Sequence, residues 1–446
     1  MADQDSRRPA APGAPVARQD VLHDRSHDRS HDRSHDLPHD RPHDRLRDRP
    51  LHDLQRQNRS LHDRFLDWVQ RTVGRPGFRR WAAGFWLTRP LVRRRAGALF
   101  DLVAGFVYTQ VLLACVRLDV FNSLAASGPE TAAMLATRHG LPPRSMQRLL
   151  DAAVSLRLLA TRRAGRYGLG PLGAPMVGNA ALAAMVEHHA ALYADLRDPV
   201  ALLREEGAGS AMSAYWPYAT HTASYPQAAD LPARAVAEYS ALMTASQPMV
   251  IEEVLDAYPL QRHRVLLDVG GGEGRFVAAA AQHAPALQCH LFDLPPVAAL
   301  ARQRLAGLGL TAGASPRVQV HGGSFFDDAL PTGADIVTLV RVLFDHDDVH
   351  ALAILRAARA ALPVGGTLLV AEPMAQAEGA RAMADAYFGF YLLAMGRGQP
   401  RSAAALQALL QQAGFTGVRA LRTRLPLQCG VLVAKAAAVP PMRENL

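Results

Sequence analysis

Apolar positions change their spacing several times along this chain. Residues 22–45 carry almost none: a four-residue repeat, His23-Asp24-Arg25-Ser26, His27-Asp28-Arg29-Ser30, His31-Asp32-Arg33-Ser34, degenerates near Asp44. So polar a stretch cannot offset the entropy of ordering it, and residues 1–64 are expected to be disordered. From Phe65 to Leu87 large rings (Trp68, Phe78, Trp81, Phe85, Trp86) interleave with arginines, a basic aromatic arm over 65–95. The apolar run Ala96–Val116, interrupted by Asp101 and Gln110, reads as a buried helix. Next come Thr131–His139, a short helix ended by Gly140, and a helix opened by Pro142 and Pro143 with Met146, Leu149, Leu150, Ala153 and Val154 on one face. Leu156–Ala160 and Arg166–Leu169, around a turn at Ala164-Gly165, predict two short strands. Helix, turn, helix, hairpin is a winged-helix order over 96–180. Connecting helices and loops follow over 181–250, with an aromatic loop at Tyr215-Trp216-Pro217-Tyr218.

Past residue 251 the pattern alternates. Strands are predicted at Val265–Val269, Gln288–Phe292, Val318–His321, Ile336–Val340 and Thr367–Ala371, with helical stretches between most of them. This is a doubly wound α/β domain. Val418–Thr423 and Leu427–Ala434 would close its sheet as an antiparallel pair.

Charge modifies this picture in one place. The chain of 446 residues carries a net charge of +9. Residues 1–64 hold 13 Arg against 12 acids, and residues 96–446 hold 28 basic against 27 acidic groups. Residues 71–95 hold eight arginines (71, 75, 79, 80, 89, 93, 94, 95) and no acid. The excess is therefore local, which argues against a polycation that coats nucleic acid over its whole surface. Arg beside Trp suits an anionic bilayer surface, so residues 71–95 are a candidate peripheral membrane contact. The helix Pro142–Val154 offers only Arg144 and Arg148, with Asp151 offsetting one of them. A DNA-reading regulator is thus disfavoured, although the wing holds Arg162, Arg163 and Arg166. Three distant cysteines (Cys115, Cys289, Cys429) suggest neither a disulfide framework nor a metal site, and fit a reducing cytoplasm. The start of the chain lacks the apolar core of a secretory signal.

The densest chemical signal is Leu266-Leu267-Asp268-Val269-Gly270-Gly271-Gly272-Glu273-Gly274-Arg275. It follows a strand and opens a helix, as a nucleotide-binding turn must. A dinucleotide fingerprint would need its last glycine at position 275, where Arg275 stands. Gly270, Gly272 and Gly274 behind a leading acid, Asp268, suit S-adenosylmethionine better than a pyrophosphate. The second strand ends in Phe292-Asp293-Leu294-Pro295, and Asp293 could accept hydrogen bonds from both ribose hydroxyls.

On these residues the chain, from about Thr109 onward, resembles the O-methyltransferases of the plant caffeate and acetylserotonin type. "LLDVGGGEG" is similar to their glycine motif and "FDLP" to their ribose motif. Gly323-Ser324-Phe325-Phe326 falls at their adenine-side segment, and Val364–Glu372 at their fifth strand. The resemblance implies a class I methyltransferase with a doubly wound seven-stranded sheet, an N-terminal α-helical winged-helix dimerisation domain and a homodimer. It also implies S-adenosyl-L-methionine as cofactor, held by Asp268, Gly270, Gly272, Gly274, Asp293, Leu294, Ser324, Phe325 and Arg341. Where that family has Lys-x-x-Leu-His-Asp-Trp-x-Asp, this chain reads Arg341-Val342-Leu343-Phe344-Asp345-His346-Asp347-Asp348. The catalytic His position is thus Phe344. His346, flanked by Asp345 and Asp347, is the remaining candidate base, and Glu372 matches a glutamate that orients the family's base. A second orienting glutamate, expected near Gln399-Pro400, is absent.

A phenol near pKa 10 is well served by a histidine base, whereas an aliphatic alcohol gains less from one. Losing the His at 344 therefore hints at an acceptor other than a phenol. "LVRVLFDHDD", "GGSFFDDALPTGAD" and the Arg/Trp arm resemble one branch, the carotenoid hydroxyl methyltransferases of purple phototrophic bacteria. That branch acts on 1-hydroxy-carotenoids such as hydroxyneurosporene and demethylspheroidene. The resemblance implies a carotenoid-biosynthetic enzyme in the cytoplasm, peripheral at the inner photosynthetic membrane, with an apolar small-molecule acceptor. Tyr387, Phe388, Phe390 and Tyr391, within Met383–Met395, are candidates to line its pocket. The alternative is an O-methyltransferase of an aromatic or polyketide metabolite.

Overall fold

A computed structural model describes residues 61–215, 247–313, 316–377, 381–426 and 429–438. The repeat within residues 1–60 and most of the aromatic loop at 215–218 lie outside them. The chain divides into two compact units, Met1–Gly97 and Ala98–Leu446.

In the first unit the helices Leu61–Gly74 and Pro76–Gly84 carry Phe65, Trp68, Phe78 and Trp81, and Phe85 and Trp86 follow them. Trp81 stacks on Phe85 at 5.1 Å and leans on Phe78 at 5.5 Å. Trp68, Trp81 and Trp86 are exposed. The helix already holds residues 61–64, the last of the stretch expected to be disordered.

The helix Arg89–Arg117 continues into the second unit and is long and apolar enough to cross a membrane, by length and composition only. The sequence suggested a buried helix here. Its C-terminal turns fit that, since Leu113 and Cys115 are buried. Leu99, Phe100, Leu102, Val103, Phe106 and Val107 are instead exposed, Leu102 at 81%. The apolar run is real, but most of it finds no cover among the described residues.

Beyond it the winged-helix order holds. Cys115, Val120, Phe121, Leu135, Met146, Leu150 and Ala153 form one small core. The helix Ala132–His139 is capped by the Thr131 hydroxyl and stopped by Gly140 in the left-handed region, and the helix Pro143–Ser155 starts with proline in its first turn. A three-stranded sheet has the order β1 (Glu130–Thr131), β3 (Arg166–Leu169), β2 (Leu159–Arg162). β2 starts later than the apolar pattern suggested because Leu156 caps the helix and Arg157 takes a left-handed φ of 61°.

The larger sheet uses seven strands: β4 (Val265–Val269), β5 (Gln288–Asp293), β6 (Val318–Gly322), β7 (Ile336–Val340), β8 (Thr367–Glu372), β9 (Phe415–Leu421) and β10 (Gly430–Ala436). Their order is β6-β5-β4-β7-β8-β10-β9, with β10 antiparallel to both neighbours and the other pairs parallel. β7 and β8 are buried along their whole length, as strands covered on both faces must be. One core packs Leu267, Leu339, Leu368, Ile354 and Leu410, and the other packs Leu266, Phe276, Leu291, Ile336 and Leu369. The chain order reverses at β4, so the ligand crevice lies beyond the carboxyl ends of β4 and its neighbours. Cys115, Cys289 and Cys429 are free and buried, and burial pushes each thiol up to about 12.

Candidate active site

β4 ends in Asp268 and Val269, and the chain then turns through Gly270, Gly272 and Gly274, all at left-handed φ (70°, 58°, 80°). A side chain at Gly270 would also place its Cβ 2.8 Å from the Val342 methyl. Gly274 leads straight into the helix Arg275–His283, whose first amides point back at the crevice. Asp268 is buried, with one carboxylate oxygen accepting from Thr338 Oγ1 at 2.7 Å and the other, Oδ2, without a hydrogen-bond partner among the described residues. Burial, with a smaller contribution from Asp293, pushes it up to about 7.

At the end of β5, Asp293 accepts from the Gly272 amide at 2.8 Å and from the Leu294 amide at 2.7 Å. Burial raises it to about 6, and the two amides pull the other way. Each oxygen retains a lone pair for a hydroxyl donor. Ser324 sits in a tight turn after β6: its amide donates to Asp328 Oδ2 at 2.8 Å, and its hydroxyl accepts from the Phe326 amide at 3.2 Å. Phe325 lies edge-on to Phe326 at 4.7 Å and to His346 at 5.7 Å. The structure thus brings Asp268, the three glycines, Asp293, Leu294, Ser324 and Phe325 to one end of the sheet.

The next loop leaves β7 through Arg341, whose left-handed φ of 59° is costly for a residue with a side chain and marks a constrained turn. Phe344, Asp345 and His346 follow, all buried. Glu372, at the end of β8 and fully buried, accepts from the Phe344 amide at 3.1 Å through Oε2, while Oε1 has no partner. Burial pushes Glu372 up to about 7 and Asp345 up to about 8, with Arg401 and Arg341 respectively pulling them down. Arg401 clamps the loop from the other side, donating to the Leu343 carbonyl, the His346 carbonyl (2.7 Å each) and Asp348 (2.8 Å). Gly398 packs so closely that a Cβ there would lie 2.4 Å from the Phe344 carbonyl oxygen.

His346 is placed differently from the sequence reading. Of the two carboxylates that flank it, Asp347 engages His350 Nδ1 at 2.7 and 2.8 Å. The His346 ring sits edge-on between Phe325 and Phe326, 5.7 Å from each. Burial, aided by His350, pushes it down to about 3, a poor proton acceptor at neutral pH.

A second polar group was not foreseen. The helix Ala180–Asp195 carries His188 and His189 against the widened turn Ala382–Tyr387 and the helix Phe388–Ala394. His188 Nε2 lies 3.0 Å from the Tyr391 hydroxyl and His189 Nε2 lies 2.9 Å from the Tyr387 hydroxyl. Phe344 packs in the same apolar cluster, its ring 6.3 Å from Phe388. Two adjacent histidines inside an alanine-rich helix were the available sequence signal; Arg401 offered none. Among the described residues no group of three or more His, Cys, Asp or Glu side chains is disposed to hold a metal ion.

A glycine turn between two strand-end acids, at the reversal point of a seven-stranded sheet with an antiparallel last pair, defines an S-adenosylmethionine-dependent methyltransferase. The residues fit that cofactor: an unpartnered buried carboxylate oxygen suits its cationic amino-acid portion, and the Asp293 lone pairs suit its ribose. The chain belongs to the O-methyltransferase family, whose catalytic domain matches residues 193–416 and whose dimerisation domain matches residues 100–179. It is 44% identical to the demethylspheroidene O-methyltransferase of Cereibacter sphaeroides, over 74% of this chain and 84% of that one. It is 39% identical to the demethylspheroidene O-methyltransferase of Rhodobacter capsulatus, over 78% and 84%. Mouse acetylserotonin O-methyltransferase is 34% identical over 74% and 86%. The fold is also that of human N-acetylserotonin methyltransferase crystallised with S-adenosylmethionine, with TM-score 0.62, 23% identity and coverage of 77% of this chain and 98% of that one.

Proposed function

We propose that this enzyme transfers a methyl group from S-adenosylmethionine to the tertiary hydroxyl of a 1-hydroxy-carotenoid of the hydroxyneurosporene or demethylspheroidene kind. The observation that carries the reading is the identity, 44% and 39%, with two demethylspheroidene O-methyltransferases over most of their length. Phe344 supports it: an apolar ring occupies the position where phenol-methylating relatives of the caffeate type would hold a histidine. The cofactor supplies an already activated methyl group on a sulfonium, so positioning and desolvation can carry most of the rate.

In this reading Asp268 holds the cofactor's cationic portion, Asp293 its ribose, and Ser324 and Phe325 flank its adenine. Gly270, Gly272, Gly274 and Leu294 shape the cradle, and Arg341 closes it. Glu372 is a positioning residue that fixes the Phe344 backbone together with Arg401. His346 walls the pocket beside Phe325 and Phe326. The exposed apolar stripe Leu99–Val107, at the start of the matched dimerisation domain, is covered by a second copy in a homodimer. The arginine- and tryptophan-bearing arm, residues 71–95, would let a cytoplasmic enzyme touch the membrane in which such an acceptor dissolves.

Labelled S-adenosylmethionine with 1-hydroxyneurosporene on one side and a panel of phenols on the other tests the reading. Methylated carotenoid is expected. Turnover of a phenol with none of the carotenoid would reverse it. Deleting residues 1–95 should lower sedimentation with anionic liposomes, and undiminished sedimentation would remove the arm from the proposal.

A further inference from the structure

We propose that Tyr387 and His189 form a two-residue relay that takes the acceptor's hydroxyl proton during methyl transfer, replacing the base that position 344 lacks. The inference rests on the O-methyl transfer to an alcohol proposed above and deepens it.

Its first support is the direction of the hydrogen bonds. His189 Nδ1 contacts the Met185 carbonyl oxygen, one turn back on its own helix. A carbonyl cannot donate, so Nδ1 carries the ring's hydrogen and the neutral ring presents its lone pair at Nε2. Nε2 therefore accepts from the Tyr387 hydroxyl at 2.9 Å. With its proton so directed, the Tyr387 oxygen keeps its own lone pairs for another donor, and among the described residues His189 is its hydrogen-bond partner. This is the state required to receive a proton from one side and pass one to the other.

Location is the second support. Tyr387 ends the widened turn Ala382–Tyr387, a distortion that recurs at functional sites. Its ring meets Phe388 at 4.9 Å, and Phe388 meets Phe344 at 6.3 Å, so the pair borders the vacated base position. The Arg341 guanidinium, at the carboxyl end of β7, acts on Tyr387 and on Asp345, which ties the tyrosine to the crevice rather than to the far face of its helix.

The chemistry is the third. Burial pushes the Tyr387 hydroxyl up to about 12, so Tyr387 stays neutral and can take the acceptor's proton only as it hands its own to His189. His188, paired with Tyr391, is the poorer acceptor, pushed down to about 4 by burial and by the adjacent His189. In the step, the acceptor oxygen bonds the methyl carbon as the sulfur–methyl bond breaks, its electron pair remaining on sulfur. The hydroxyl proton moves to the Tyr387 oxygen while the proton of Tyr387 moves to His189 Nε2. His189 becomes imidazolium, its Nδ1 hydrogen still on the Met185 carbonyl, and returns the proton to solvent after product leaves.

The test uses the full chain with three measurements on Tyr387→Phe and His189→Gln. Phenylalanine keeps the ring packing. Glutamine can still accept the tyrosine's hydrogen bond but cannot take its proton. Both variants should lose about 10²-fold in kcat, the order a general base supplies, while S-adenosylmethionine Kd and Tm stay near wild type. Nitrogen-15 histidine spectra should show one neutral ring with Nδ1–H whose Nε2 resonance moves in Tyr387→Phe. Turnover within threefold of wild type in either variant, or an Nε2–H tautomer at His189, overturns the relay. A Tm loss in one variant leaves the other and the wild-type tautomer to decide. If the wild type methylates a phenol and no carotenoid, the acceptor reading fails while the relay is measured on that phenol.

Discussion

On the cofactor side of the crevice, the contacts come mostly from one short stretch, Asp268 to Leu294, and largely from backbone. On the proposed acceptor side they come from residues at 188–189, 343–346, 372, 387–391 and 401, drawn from five separate elements. The first is a cradle in which glycine geometry and two strand-end acids would do the holding. The second is a clamp in which distant residues hold one another. A cofactor shared by a whole family can be met by a local motif. The acceptor changes from enzyme to enzyme, and its half of the site can be rebuilt without disturbing the cradle.

Breaking the cradle should have the largest effect. Gly270→Val combines a φ of 70° with a Cβ 2.8 Å from Val342. S-adenosylmethionine Kd, read by calorimetry, should rise by about 100-fold or more, equivalent to roughly 2.7 kcal/mol. Breaking the clamp comes next. Arg401→Ala takes the donor from the His346 carbonyl and one of two donors, the other being the His346 amide, from the Leu343 carbonyl in a buried loop. A cost of about 2–3 kcal/mol follows, a Tm loss of roughly 6–10 °C. Carotenoid kcat should fall by about 10- to 100-fold through lost positioning while S-adenosylmethionine Kd changes far less.

Titration sharpens the comparison at a smaller scale. Asp268 stands at about 7, so it is mostly protonated at pH 6 and mostly ionised at pH 8. A cationic ligand favours the ionised form, so affinity should rise about tenfold over that interval. Asp268→Asn should flatten the profile, apart from a residual slope near pH 6 from Asp293. Without cofactor the sign for stability is the reverse: acids raised above their unfolded values cost stability as pH rises through them. The smallest effect is expected at His346→Ala, with turnover within about threefold of wild type, far short of the loss of a base. A hundredfold loss there would return the base to His346.

How much of this could be read from the sequence follows the same division. β4, its glycine turn and Asp293 were legible because strand, turn and helix start are each set by neighbours in sequence. The last two strands were legible as a pair, but they fall at Phe415–Leu421 and Gly430–Ala436, shifted by two or three residues at every end, with a bulge near Val433; Leu427, where the second was expected to start, lies outside the described residues. His189 and Tyr387 are partners 198 residues apart, and no periodicity links them. Arg401 looks like any surface arginine before a serine cap until the loop at 343–348 is folded over it. His346 looked like a base because Asp345 and Asp347 flank it in sequence, yet adjacency along the chain did not decide which ring the carboxylate faces.

Covered by a second copy as proposed, the stripe Leu99–Val107 would make maturation of this chain a concentration-dependent event. An isolated newly made copy would present six large apolar side chains to water, and their burial would await an encounter with a second copy. At low abundance such copies would be drawn to chaperones or to other apolar surfaces. Active enzyme should then accumulate more steeply than in proportion to synthesis, so a modest change in expression would produce a sharper change in catalytic capacity.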